Sequence, residues 1–203
     1  MNYFEFFSLP RKLVVDVAAL EKRFYVLSRK LHPDRFASKS VAEQEAALAE
    51  ASLLNDAYRT LKDPILRTQY LLTLEGVELE EQSKAATDAA RASGKEKKQI
   101  VPPELLEEVF ELNMQLAEMR AAKQMGEDQP ELRRDLLAAK DAFDARMVET
   151  QTELQGLWVA WDMAVDVGDD AAKGRAKDAM VVLLNKRSYL RNLVRDVNEA
   201  LGD

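Results

Sequence analysis

Along most of this chain, apolar residues recur at three- and four-residue intervals, the spacing of one face of an α-helix. Leu20, Phe24, Leu27 and Leu31 fall on one narrow stripe, with Lys22, Val26 and Arg29 on the opposite side. Asp16, a favourable N-cap residue, precedes the stripe, and Pro33 ends it by biasing His32 away from helical angles. Ala47, Ala51, Leu54, Tyr58 and Leu61 form the stripe of a second helix, predicted over Val41 to Leu61. Asp63-Pro64 breaks that helix and suits the first turn of a shorter one, which carries Ile65, Leu66, Tyr70, Leu71 and Leu72 up to Gly76. The aromatic segment from Tyr3 to Leu9, closed by Pro10, predicts a short helix or turn that packs inward.

Residues 77–101 change character. Glutamates and lysines surround small residues such as Ala85, Ala89 and Ala90, and large apolar side chains are nearly absent, as expected of a linker. Three long helical patterns follow, over 103–123, from Pro130 to beyond Trp161, and over 172–201. Gly168-Asp169-Asp170 separates the last two, and connections this short favour an antiparallel three-helix bundle. The expected fold is all-α. Residues 1–76 form a helical hairpin with short flanking helices, 77–101 a linker, and 102–203 a three-helix domain.

Composition narrows the function. The net charge of −7 is uneven: residues 1–99 carry 16 basic and 15 acidic side chains, and residues 100–203 carry 13 and 21. An acidic second half argues against nucleic acid as the main partner, because duplex binding rests on phosphate neutralisation. With no cysteine, there are no disulfides or thiolate metal sites. No stretch approaches the ~18 apolar residues of a membrane span. The opening Met1-Asn2-Tyr3-Phe4-Glu5-Phe6-Phe7 lacks the basic flank and apolar run of a signal peptide, so the bacterial cytoplasm is the expected location. One histidine, no glycine-rich phosphate loop and no HExxH pattern leave no nucleophile–base pair, and an enzyme is not expected.

The candidate chemistry lies in two places. His32-Pro33-Asp34 sits between two helices of similar length, so an antiparallel pair would hold it at one tip. By itself the tripeptide is a weak signal, equally readable as a helix stop and a turn. Its surroundings strengthen it. Lys22, Arg23, Arg29, Lys30, Arg35 and Lys39 give residues 20–39 six bases against Glu21 and Asp34, a patch that would steer toward an acidic partner.

The second place is the helix from Pro103 to Lys123. Leu105, Val109, Leu112, Leu116 and Met119 make one row. Leu106, Phe110 and Met114 make another, turned by about a third of a circle or more. Either both rows are core, or the second is an exposed apolar patch bordered by Glu107, Glu111 and Glu118 and serves to bind protein. The periodicity admits both. Trp158 and Trp161, three residues apart, read as packing rather than a ligand platform.

Residues 1–75 resemble a J-domain: Tyr3-Phe4, the basic helix from Asp16 to Leu31, His32-Pro33-Asp34, and a helix ending Leu53-Leu54-Asn55-Asp56-Ala57-Tyr58-Arg59-Thr60-Leu61. Asn2-Tyr3-Phe4, His32-Pro33-Asp34-Arg35-Phe36-Ala37-Ser38, Lys62-Asp63-Pro64, Arg67 and Tyr70-Leu71-Leu72 resemble the HscB family, J-proteins of iron–sulfur cluster assembly. That resemblance spans nearly the whole chain. It implies a co-chaperone that needs no cofactor. His32, Pro33 and Asp34, with Lys22, Arg23, Arg29, Lys30 and Arg35, would engage a DnaK/HscA-type chaperone ATPase. Leu106, Phe110, Glu111, Met114, Glu118 and Tyr189 would hold the cluster scaffold protein IscU. Two positions depart from the family pattern: Glu107 stands where an apolar residue is usual, and Met114 where an acid is common. Two other readings stay open, a J-protein for a different client and a helical adaptor with a chance tripeptide.

Overall fold

The structure, a computed structural model, describes residues 1–77 and 102–202. Among these there is no strand. Apart from Val77, the linker expected over 77–101 lies outside the described residues. The helices are α1 (Tyr3–Phe6), α2 (Val17–Lys30), α3 (Val41–Lys62), α4 (Pro64–Leu74), α5 (Leu106–Met125), α6 (Pro130–Val167) and α7 (Asp170–Leu201). Single 3₁₀ turns occupy Pro33–Arg35 and Pro103–Leu105.

Local chemistry sets most of these boundaries. Helix ends leave backbone N–H groups without intrahelical partners, and short polar side chains satisfy them. Asn2 and Glu5 form a reciprocal capping box on α1, and Ser40 and Glu43 form one on α3. The Asp16 carboxylate accepts from Ala19 N–H at 3.0 Å to start α2. Asp63 closes α3 and, through one oxygen, accepts from both Ile65 and Leu66 N–H at 2.8 Å to start α4, with Pro64 in the first turn. Gly126 ends α5 at φ 72° and Gly168 follows α6 at φ 69°, a left-handed conformation that strains other residues.

The chain divides into two compact units. The first comprises residues 1–79 and 157–177, the second 80–156 and 178–203. Both α6 and α7 therefore contribute residues to each unit, so the first unit contains a segment that the sequence pattern assigns to the C-terminal domain.

In the first unit, α3 packs against α1, α2 and α4. Phe4, Phe7, Leu13, Leu20, Leu54, Leu61, Leu71 and Leu72 are all buried. Tyr70 ties α4 to the N-terminus: its ring stacks on Tyr3 at 4.4 Å between centroids, and its hydroxyl accepts from Tyr3 N–H at 2.9 Å. Trp158 and Trp161 are buried as packing residues, with the Arg67 guanidinium 5.5 Å from the Trp158 ring and Lys173 Nζ 5.0 Å from the Trp161 ring. In the second unit, one row from each of three helices meets in a single core. Leu105, Val109, Leu112 and Leu116 face Leu136 and Phe143 from α6 and Leu190, Leu193 and Val197 from α7.

Candidate functional site

The His32-Pro33-Asp34 turn is built by its neighbours. Pro33 holds His32 extended, at φ −61° and ψ 131°, which stops α2 at Leu31 and opens the 3₁₀ turn. His32, Pro33, Asp34 and Arg35 are all exposed. His32 Nδ1 accepts from Asp34 N–H at 3.3 Å. The same nitrogen lies 3.4 Å from Asp34 Oδ2, an ion pair only when the ring is protonated, whereas the amide contact needs the neutral form. Either contact ties the His32 ring to Asp34 within one local turn. Beside it, in the fork between α2 and α3, is a groove of about 380 Å³ lined by Leu31, His32, Pro33, Leu48 and Asn55 among others.

The basic side chains do not all behave alike. Lys22, Arg29 and Lys30 are exposed and meet no carboxylate among the described residues. Arg23 is tethered: its Nη1 donates to the carbonyls of Phe7 at 2.6 Å and Ser8 at 3.1 Å, binding α2 to the end of α1. Arg35 Nη1 reaches back to the Arg29 carbonyl at 3.4 Å. The one acid inside α2, Glu21, is turned toward α3, where it accepts from Tyr58 Oη at 3.1 Å and lies 3.9 Å from Lys62 Nζ. Tyr58 in turn stacks on Phe24 at 4.1 Å, and its hydroxyl beside Lys62 raises that ammonium's pKa. Glu21 therefore does not neutralise the outer face, which stays cationic.

On α5 the two apolar rows part. Leu105, Val109, Leu112, Leu116 and Met119 are buried, while Leu106, Phe110 and Met114 are 55%, 67% and 61% exposed. The second row is thus an exposed patch. The glutamates divide as well. Glu104 pairs with Lys186 at 3.4 Å and Glu108 with Arg146 at 2.7 Å, both cations belonging to neighbouring helices. Glu107, Glu111 and Glu118 are exposed beside the patch, with no ion pair among the described residues. Tyr189 does not share this exposure. It is buried in the core cluster with Val109 and Leu112, and burial raises its pKa.

No protein-family model matches this sequence. Two solved structures resemble it over nearly its full length. Chaperone HscB from Vibrio cholerae is 26% identical, with 100% of this chain and 98% of that one covered, at a TM-score of 0.61. Human co-chaperone protein HscB is 25% identical, with 98% and 81% covered, at a TM-score of 0.59. Over its whole length, the chain is similar to HscB co-chaperones.

Consistent with that likeness, the chain carries both features expected from its residues: the exposed turn after a basic helix, and an exposed apolar row on the first helix of a three-helix bundle. Helical spacing did not reveal Asp162. It lies on α6 between the tryptophans and Ala164, 8% exposed, and accepts the backbone N–H groups of Leu13 at 2.8 Å and Val14 at 2.9 Å. Its one visible signal was an acid directly beside a buried aromatic. The pairing of Glu104 and Glu108, and the tethering of Arg23, left no trace in sequence spacing.

Proposed function

We propose that this protein stimulates ATP hydrolysis by a DnaK/HscA-type chaperone and delivers the scaffold protein IscU to it during iron–sulfur cluster assembly, in the cytoplasm and without enzymatic activity of its own. The observation that carries this reading is the exposed His32-Pro33-Asp34 turn at the end of a helix on which Lys22, Arg29 and Lys30 are exposed and meet no carboxylate among the described residues. These three exposed bases attract an acidic surface over about a Debye length and orient the approach. The locally braced turn then meets the chaperone in one conformation, which limits the entropy lost on docking.

The scaffold end rests on the α5 patch. Leu106, Phe110 and Met114 offer a desolvatable apolar centre, and Glu111 and Glu118 offer exposed acids to meet cations. Tyr189 supports this helix from the core side. On this reading residues 1–76 and 102–203 divide the work, one facing the chaperone and the other the scaffold.

The test is a single-turnover ATPase assay on the partner chaperone, with and without IscU. Wild-type protein accelerates hydrolysis, and does so further with IscU. His32→Gln and Asp34→Asn lose the acceleration while keeping the wild-type melting temperature, because both side chains are exposed. Equal stimulation by wild type and variants would refute the role of the turn.

A further inference from the structure

Asp162 belongs to neither candidate surface, yet it is a buried carboxylate with both oxygens engaged. Each of its oxygens accepts one backbone N–H, Oδ1 from Leu13 and Oδ2 from Val14. These two amides lie three and four residues ahead of α2, which begins at Val17 behind its Asp16 cap. Leu13 itself is fully buried. One helical turn beyond Asp162, Asp166 pairs with Lys12 at 2.6 Å, so three consecutive residues, Lys12 to Val14, are held by one face of α6. Burial lowers the pKa of Arg67, against the opposing pull of the Asp63 and Asp162 charges.

The segment between α1 and α2 thus has two anchors. Arg23 fixes its beginning, at the carbonyls of Phe7 and Ser8. Asp162 fixes its end, immediately before the basic helix. A carboxylate accepting two amides in a nearly dry site makes charge-assisted bonds, and leaving either amide unpaired there costs its full desolvation. The turn at His32, by contrast, is braced by its own local bonds and by Pro33.

We infer that Asp162 is a positioning residue for chaperone engagement: it sets where α2 starts, and so how the cations Lys22, Arg29 and Lys30 are presented, without touching the partner. This rests on the function proposed above, and it makes a distinctive prediction. Displacing α2 weakens the approach of the basic face while leaving the His32 turn intact. Loss of Asp162 therefore raises the co-chaperone concentration needed for half-maximal stimulation and spares the maximum, whereas loss of His32 removes the maximum.

The experiment uses the full-length chain. In the wild type, hydrogen exchange of the Leu13 and Val14 amides is expected to be roughly 10- to 100-fold slower than that of exposed Arg11. In Asp162→Asn, whose amide can accept only one of the two N–H groups well, that protection falls about tenfold or more. Half-maximal stimulation of the chaperone ATPase shifts upward severalfold with the maximum retained. Wild-type-like exchange and half-maximum in the variant would overturn the inference, as would a lost maximum at an unchanged half-maximum. If the Asn variant fails to fold, unprotected Leu13 and Val14 amides in the wild type would still overturn the inference, since they would be incompatible with the clamp. A wild type that stimulates no ATPase would instead overturn the proposed function and leave the exchange result standing as a measure of the clamp.

Discussion

Replacing Phe110 by alanine separates surface from core on a single helix. Phe110 is 67% exposed, so of the roughly 200 Å² that a phenylalanine can bury, about 130 Å² remains open in the free protein. At ~25 cal/mol per Å², covering that area is worth about 3 kcal/mol. Part of this is offset by ordering the side chain on binding, and alanine retains a little contact, leaving a net loss of about 2 kcal/mol, or roughly thirtyfold in affinity. The same substitution touches folding little. Leu112, two residues along and buried in the core cluster, behaves oppositely: Leu112→Ala costs about 2–5 kcal/mol of stability through lost burial and a residual cavity. Isothermal titration with IscU and a urea melt of each variant measure both quantities. Phe110→Ala is expected to bind about thirtyfold more weakly and unfold at the wild-type midpoint. Unchanged binding would refute the assignment of the α5 patch, and a melt resembling that of Leu112→Ala would refute its exposure.

Three further outcomes are expected. Lys22→Ala combined with Arg29→Ala leaves stability unchanged, since neither side chain meets a carboxylate among the described residues, but slows association with the chaperone and flattens its salt dependence, which stopped-flow measurements at several ionic strengths will detect. Tyr70→Phe keeps the ring stack on Tyr3 but leaves Tyr3 N–H without its 2.9 Å acceptor, costing about 1–2 kcal/mol and lowering the urea midpoint at constant slope. The Ser40 side chain and then its backbone N–H hold the Glu43 carboxyl below its ordinary value of 4.5. A depressed folded-state pKa stabilises above the unfolded value, and that contribution is lost as pH falls through the folded value. The protection of amides in the first turn of α3, relative to their intrinsic exchange at each pH, should therefore fall as pH drops below about 4.5, and Ser40→Ala, which keeps only the backbone bond, should weaken that dependence.

Much of the fold was legible because it is governed by near neighbours. Asp16, Ser40 and Asp63 cap the helices predicted to follow them, Pro33 and Pro64 sit at predicted boundaries, and Gly168 separates the last two helices. The stripes of α2 and α3 face the hairpin as their spacing requires, and the exposed His32 turn lies at its tip. A cap acts over three residues and a stripe over one face, so each can be read from a short window of sequence.

Position in the folded unit decided the remainder. Spacing set two apolar rows on α5 but could not say whether one or both were covered. That depended on how α6 and α7 pack around Leu105 and Leu112, and the packing leaves Phe110 outside while drawing Tyr189 in. The charge pattern counted six bases over residues 20–39, yet whether Arg23 faces a partner or the carbonyls of Phe7 and Ser8 depends on where α1 ends in space. Asp162 is the furthest case. Its value lies in two amides about 150 residues earlier, and no local preference of the chain carries information across that distance. Propensity, capping and periodicity are short-range energies, whereas burial and buried hydrogen bonds exist only once distant segments have met.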